Sequence, residues 1–182
     1  FQLYEKNMHS VQKNEFFFFF SRMMKLYHGS NIEVGVPGLR TNLRALDFGA
    51  GFYVNSSYEQ AMKWAKAVTK RRGNGTASVS VYNFDAAKTD KLNVLKFEIA
   101  NGDWLDFVVK NRKLLPVEDA FDLIIGPVAN DSTLPVIDDY MDGKYTKEQA
   151  VSHLLPQNLT DQYAFLTDRA LLCLSFDEVR CV

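Results

Sequence analysis

The chain has 182 residues and a formal net charge of −1, and 47% of its residues are hydrophobic, 13% aromatic and 24% charged. This length suits one domain with a substantial core, and the composition is that of a globular protein, not of a disordered or fibrous one. The near balance of basic and acidic residues argues against a nucleic-acid binder that relies on a strong overall positive field.

The first 22 residues differ from the rest of the chain. Residues 16–20 are five consecutive phenylalanines, a run too short for a transmembrane helix and without the cleavage site that follows a signal peptide. We predict that residues 1–22 are a leader or a non-native extension and that residues 23–182 form a single domain with no membrane association. The two cysteines, Cys173 and Cys181, form no disulfide framework, which indicates a reducing, cytoplasmic location.

Apolar periodicity predicts the elements in chain order. Strands are expected where apolar residues alternate or run continuously, over residues 25–28, 51–54, 77–81, 95–99, 121–128, 161–167 and 171–176. Helices are expected behind two capping boxes, which begin at Ser56 and Thr146, and over residues 103–113. The first of these helices is predicted to end at Gly73. Because strands and helices alternate irregularly, the sequence predicts an α+β fold.

Two short motifs separated by about twenty residues carry the functional signal. Residues 27–30 have the sequence Tyr-His-Gly-Ser, and residues 48–53 have the sequence Phe-Gly-Ala-Gly-Phe-Tyr. Together they resemble the first two active-site motifs of the ADP-ribosyltransferase superfamily, in the His-Tyr-Glu branch shared by diphtheria toxin and the poly(ADP-ribose) polymerases. The resemblance implies a split β-sandwich of two antiparallel sheets with flanking helices and an NAD cleft between the sheets.

The residue types of the first motif suit the cleavage of NAD. Loss of nicotinamide passes through an oxocarbenium-like transition state, so a site must hold the carboxamide, stack the ring and bind the ribose hydroxyls. Gly29 lets a ligand approach the backbone closely, and the imidazole of His28 can bind a ribose hydroxyl. The resemblance adds Ser30 to the residues that bind NAD. The competing interpretation is an ordinary histidine at a strand end, followed by a turn glycine.

The second motif supplies glycines and an aromatic ring. Gly51 allows the strand to begin close beneath a flat ligand, and Tyr53 offers a face to the nicotinamide. Trp64 lies eleven residues later, where the resemblance places a second stacking aromatic, although core packing explains it equally well. Arg40 and Arg44 could meet the pyrophosphate of NAD, with a solvated loop as the competing interpretation.

The third motif of the family departs from its usual pattern. Gln162 stands where the family has glutamate, and a glutamine binds a hydroxyl but brings no negative charge to a cationic transition state. Asp161 carries that charge, but strand alternation directs it to the opposite face. The resemblance implies His28, Tyr53 and Gln162 as the catalytic residues and transfer of single ADP-ribose units. It also leads us to expect that Gln162→Glu preserves or raises NAD cleavage.

Two further segments extend the resemblance. Residues 121–131 and 161–167 are similar to those of a bacterial family of toxin-like transferases of this fold, over about residues 24–177. This similarity implies a mono-ADP-ribosyltransferase with NAD as substrate, a protein acceptor favoured over nucleic acid, and a small antitoxin-like partner protein. The glutamine in the third motif favours an alternative, a non-catalytic module that binds a nucleotide or a protein partner. A third hypothesis is transfer to a nucleic-acid end. No cluster of residues has metal-ligand spacing, so we predict no metal.

Overall fold

A computed structural model describes residues 23–39, 46–117, 119–157 and 159–182. The predicted leader, residues 1–22, lies outside the described residues. The strands in these ranges are β1 (Met23–Ser30), β2 (Phe52–Asn55), β3 (Ser78–Asp85), β4 (Val94–Lys96), β5 (Leu123–Pro127), β6 (Asp161–Phe165) and β7 (Leu174–Cys181). The α-helices are α1 (Tyr58–Arg72), α2 (Gly102–Arg112), α3 (Leu134–Met141), α4 (Lys147–Leu154) and α5 (Asp168–Leu171). Two 3₁₀ helices follow β3 and α4, at Ala86–Lys91 and Leu155–Gln157.

The strands form one mixed sheet, in the order β4-β5-β6-β2-β1-β3-β7. All neighbours are antiparallel except β4 and β5, which run parallel. The predicted α+β class is confirmed, but one sheet stands where the resemblance implied two. The joint between β1 and β2 is a single residue pair, Tyr27 with Asn55, whereas β1 pairs with β3 along its whole length. The sheet is therefore continuous but narrow at this joint.

Local sequence signals explain the bounds of α1. Ser57 caps the helix by accepting from the backbone N–H of Gln60, so the cap lies one residue later than the predicted Ser56. Ser56 instead donates its hydroxyl to the carbonyl of Asp161, at 3.2 Å, and so links β2 to β6. The helix ends as predicted at Gly73, whose φ of 68° is a left-handed conformation that glycine adopts readily.

Other predicted elements are confirmed with shifted bounds. The capping box of Thr146 with Gln149 begins α4, and α2 and β5 lie within or close to their predicted ranges. Two helices were not predicted. The cap residue of α3, Thr133, makes no capping hydrogen bond with its side chain, and α5 is four residues long. Within the described residues, no helix combines the length and the apolar character needed to cross a bilayer.

The four longer helices, α1 to α4, cover one face of the sheet, which we call the helical face. α1 packs on β1 and β3 through a small core that contains Ala61, Ala65 and Val79. α2, α3 and α4 pack on β5 and β6 through a larger core that includes Trp104 and Ile137. Both helix groups lie on the same face, because the cross-strand partners Tyr27 and Asn55 direct their side chains to one side of the sheet. The opposite face buries an aromatic core beneath α5 and residues 31–39, with members that include Phe52, Tyr82, Phe84 and Phe165.

Candidate functional site

Three polar side chains gather on the helical face where β2 runs beside β6. Asn55 is the cross-strand partner of Gln162, and Tyr53 is the partner of Ala164, a buried residue of the helical-face core. Since alternate residues of a strand share a face, Tyr53, Asn55 and Gln162 lie together between α1 on one side and α2 on the other. We call these three residues the polar floor.

Two atoms of the polar floor are buried without a hydrogen-bond partner among the described residues. They are Oδ1 of Asn55, an acceptor, and Nε2 of Gln162, a donor. Gln162 is 6% exposed, and leaving a buried amide unpaired costs about 1–3 kcal/mol. An unpaired acceptor beside an unpaired donor suits a ligand that carries hydroxyl groups, because each hydroxyl can both donate and accept.

Tyr53 holds the loop of its own motif. Its hydroxyl donates to the carbonyl of Gly49 at 2.6 Å and accepts from the N–H of Phe48 at 3.1 Å. Gly49 has a φ of 89°, which favours glycine there. Burial of the hydroxyl raises the pKa of Tyr53 above its ordinary value, so the group stays neutral. The ring itself is only partly buried beside the helical-face core.

His28 bridges the narrow joint between β1 and β2. Its Nδ1 lies 2.7 Å from the carbonyl oxygen of Tyr53, and since a carbonyl only accepts, Nδ1 carries the proton of this bond. The ring stacks on Phe52, with centroids 4.6 Å apart. Strand alternation places His28 on the face that buries Leu26 and Phe52, opposite to the face of Gln162. The backbones of the predicted catalytic residues meet, but the imidazole and the Gln162 amide lie on different faces.

Two of the three motif glycines, Gly29 and Gly51, lie in close contact with the backbone of other segments. A Cβ atom on Gly29 would lie 2.1 Å from the carbonyl oxygen of Ala61, so α1 rests directly on this strand. A Cβ atom on Gly51 would lie 2.6 Å from the carbonyl oxygen of Phe165. Ser30, at the end of β1, is 3% exposed. Backbone atoms of other segments therefore fill the space where a side chain of residue 29 or 51 would lie. A ligand could contact these glycines only through their N–H and C=O groups.

Trp64 is half exposed on α1. Its relative exposure is 50%, and the guanidinium of Arg71 lies 5.4 Å from its ring centroid. Tyr58, on the same helix, faces β7, because Arg180 lies over its ring. The helical period places Trp64 and Tyr58 on opposite flanks of the buried stripe that Ala61, Ala65 and Val68 form. The second aromatic of the prediction is therefore half exposed and is not buried in the core.

Arg40 and Arg44, which are predicted to contact the pyrophosphate, lie outside the described residues. The structure contains a different charged pair, which no sequence motif indicated. Arg112, the last residue of α2, donates Nε to Oδ1 of Asp47 at 2.7 Å, and the two side chains are 14% and 15% exposed. Burial raises the pKa of the Asp47 carboxyl, and the charge of Arg112 opposes that shift. Asp47 directly precedes the second motif, which was the one local signal that could have drawn attention to it.

In the part of the chain that the structure describes, no three His, Cys, Asp or Glu side chains form a cluster that could hold a metal ion.

Comparison with known proteins identifies the family of the chain. No curated protein and no solved structure matches the chain. A family model described as "Protein of unknown function (DUF3990)" matches residues 24–176, a range that contains the polar floor, the Asp47–Arg112 pair and both motifs. The chain therefore belongs to the DUF3990 family.

Proposed function

We propose that the chain is an NAD-dependent mono-ADP-ribosyltransferase whose substrate binds at the polar floor, with His28, Tyr53 and Gln162 as its principal residues. The observation that carries the proposal is the buried, unpaired amide of Gln162 beside the unpaired Oδ1 of Asn55. Both atoms lie next to an aromatic ring whose hydroxyl is already anchored. The hydroxyls of a ribose can pair with Oδ1 of Asn55 and Nε2 of Gln162, and a flat pyridinium ring can stack on Tyr53.

The narrow joint of the sheet supports the finer fold that the resemblance implies. A sheet held by one pair, Tyr27 with Asn55, divides naturally into the halves β4-β5-β6-β2 and β1-β3-β7. We propose that these halves correspond to the two sheets of the split β-sandwich. The substrate would then lie on the helical face along the division, between α1 and α2.

Each residue of the polar floor, and each of its two neighbours Trp64 and His28, has a role in the proposed chemistry. Tyr53 and the exposed ring of Trp64 would stack the nicotinamide, since aromatic rings gain from offset stacking. Gln162 and Asn55 would hold the ribose as positive charge develops on it. The bond between ribose and nicotinamide breaks, its electron pair leaves with the ring, and a nucleophile of the acceptor attacks the same carbon. His28 would keep β2 at a fixed distance from β1 through the Tyr53 carbonyl.

The acceptor, the partner and the location belong to the same proposal. We infer a protein acceptor in preference to nucleic acid, because the overall charge of −1 gives no strong positive field. A small antitoxin-like partner protein follows from the resemblance to toxin-like transferases. We infer a cytoplasmic location from the two cysteines, whose positions form no disulfide framework.

The decisive experiment follows the adenine-labelled half of NAD and the released nicotinamide separately. The purified protein is incubated with labelled NAD and a cell lysate, and we expect nicotinamide release together with label fixed to protein. Gln162→Ala should abolish both signals. Gln157→Ala is the matched control, because that glutamine bonds Ser132 and the carbonyl of His153 away from the floor. Label fixed to nucleic acid would mean that the acceptor is a nucleic acid and not a protein.

The alternative of a non-catalytic module is favoured by one observation, the glutamine in place of glutamate. It predicts that NAD or nicotinamide raises the melting temperature through binding to the native state, while no nicotinamide is released. Thermal stabilisation without turnover would therefore support the module. If neither stabilisation nor turnover is observed with NAD, the NAD site is wrong in both forms.

A further inference from the structure

The outer face of α1 concentrates positive charge. The helix carries five of the chain's 21 basic residues and one of its 22 acidic residues, although the whole chain is close to neutral. Lys63, Lys66 and Lys70 are exposed, and among the described residues no carboxylate forms an ion pair with any of the three. The described part of the chain therefore leaves the charge of this face uncompensated.

A second line of residues runs beside the lysines. Trp64, Ala67 and Arg71 follow each other at spacings of three and four residues, so they lie in one row along the exposed side of the helix. The ring of Trp64 is 50% exposed, and the guanidinium of Arg71 lies 5.4 Å from its centroid. Ala67, between them, is exposed and small, so another helix can come close to the backbone of α1 there. We call these three residues the α1 seam.

The α1 seam and the lysines have the spacing of a surface on which helices pair. With Trp64 and Arg71 at the a positions of a heptad and Ala67 at the d position, Lys63 and Lys70 fall at the g positions that flank the seam. Charges at g positions pair with opposite charges on the facing helix and set its identity and orientation. This face of α1 is therefore complementary to a helix with an apolar stripe and acidic flanks.

We propose that the α1 seam docks an acidic amphipathic helix of a partner protein, whose apolar side chains pack on Trp64 and Ala67 and whose carboxylates lie opposite Lys63 and Lys70. Tryptophan and arginine often carry the binding energy of protein interfaces, and a half-exposed tryptophan gains burial when a partner covers it. A nucleic acid would also use the lysines. It gains nothing from a small residue at the centre of the face, whereas a helix needs one for close approach.

The docked helix and NAD compete for the same ring. The proposed function uses the exposed face of Trp64 to stack nicotinamide, so a partner that covers this face lowers the affinity for NAD. By linkage, NAD lowers the affinity for the partner by the same factor. The competition rests on the proposed function, whereas the docking of the helix does not.

The binding test uses the whole protein and a synthetic probe. The probe is a peptide of three heptads with leucine at a and d and glutamate at e and g, whose like charges keep it from pairing with itself. Of the two tryptophans in the chain, Trp104 is fully buried, so acrylamide quenching reports Trp64. We expect the peptide to shift the emission to shorter wavelength and to reduce quenching, less so at high salt. Unchanged emission and quenching would overturn the docking site.

Charge reversal tests the geometry of the seam. Lys63→Glu combined with Lys70→Glu should weaken binding of the acidic peptide by at least ~10-fold, and should create binding of the same peptide with lysine in place of glutamate. Lys66→Glu is the matched control for each single variant, because this lysine is exposed on the same helix but falls at a c position away from the seam. An equal loss in Lys66→Glu and Lys63→Glu would overturn the seam, because the charge of the helix as a whole would then attract the peptide.

Glutamine at positions 63 and 70 gives a milder version of the same test. It removes the two positive charges without placing a negative charge near the end of the helix, where it would oppose the helix dipole. Melting temperatures of all variants show that they are folded. Parental affinity in a folded protein with both glutamines would overturn the pairing of the peptide with Lys63 and Lys70.

Two other occupants of the seam are outcomes of the same measurements. A single-stranded oligonucleotide that quenches Trp64 where the acidic peptide has no effect would make this face a nucleic-acid surface. Sedimentation of the parent as a dimer that Lys63→Glu dissociates would make a second copy of the chain the occupant. Either result would overturn the acidic helix.

The outcomes also separate the docking site from the proposed function. If the parent neither binds NAD nor releases nicotinamide, the transferase proposal fails, while peptide binding still decides the docking site because it requires no NAD. If both bind, NAD should weaken the affinity for the peptide, and independent binding would overturn the competition for Trp64.

Discussion

Tyr27 of β1 and Asn55 of β2 form the one cross-strand pair that joins the two halves of the sheet within the described residues. The backbone of Asn55 closes this joint, while its side-chain oxygen lies buried and unpaired on the polar floor. The next residue after Tyr27, His28, binds the carbonyl of Tyr53. The narrowest point of the sheet and the candidate site are therefore built from the same residues, so a ligand on the floor would tie the two halves together.

Gly29→Ala should destabilise the protein whether or not NAD binds. The added Cβ atom would meet the carbonyl oxygen of Ala61 at 2.1 Å, and both atoms are bonded directly to main chain that is packed in place. We expect the free energy of unfolding to fall by at least ~1–3 kcal/mol in a denaturant titration. Gly35→Ala is the control, because nothing lies within 4 Å of its Cβ position. Equal stability of the two variants would mean that α1 does not rest on Gly29.

The ring and the hydroxyl of Tyr53 have separate roles that two variants distinguish. Tyr53→Phe removes both hydrogen bonds to Phe48 and Gly49 and should cost ~1–3 kcal/mol of stability. It keeps the ring, so the rise in melting temperature with NAD should remain. Tyr53→Leu keeps an apolar side chain but loses the aromatic face, and the NAD effect should disappear. An NAD effect that survives in Tyr53→Leu would remove the stacking role.

Trp64→Ala should separate binding from stability. Because the ring is half exposed, its removal should cost less than ~1 kcal/mol of unfolding free energy, whereas stabilisation by NAD should weaken. Trp64→Phe should retain most of the NAD effect, since an aromatic face remains. Leu172→Ala, which removes another exposed apolar side chain, serves as the control. Equal NAD stabilisation of Trp64→Ala and the parent would show that Trp64 does not contribute to NAD binding.

Asp122 should govern stability in acid. Its carboxylate accepts from Arg169, from Thr167 and from the N–H of Asn93, and the hydrogen bonds, led by that of Arg169, hold the pKa of Asp122 well below its ordinary value. A lowered pKa gives stability that is present above the unfolded value of about 4 and is lost as the pH falls through the folded value.

Asp122→Asn should therefore lower the free energy of unfolding by ~2–3 kcal/mol at neutral pH, measured by urea titration. The difference from the parent should shrink as the pH falls below about 4. Asp131→Asn, at an exposed position, is the control and should leave the parental profile unchanged. A constant difference across the acidic range would show that the Asp122 charge does not contribute.

Local sequence was sufficient for the elements that carry their own signals. Ser57 and Gly73 mark the two ends of α1 within one residue of prediction, and Thr146 with Gln149 marks the start of α4. These features act over three or four residues, so their physics is complete within a short segment. α3 carried a weaker signal, a proline in its first turn without a side-chain cap from Thr133, and it became visible only in the packed structure.

The sequence by itself determined the α+β class, the residue types at the two motifs and the glutamine in the third. The tertiary structure alone decided that the strands join in one sheet, that Asn55 meets Gln162, and that Arg112 meets Asp47 from 65 residues away. It also placed His28 on the opposite face from Gln162, which no motif reveals. Hydrogen-bond register and helix packing set these relationships, and both depend on segments far apart in the chain whose contacts no local pattern specifies.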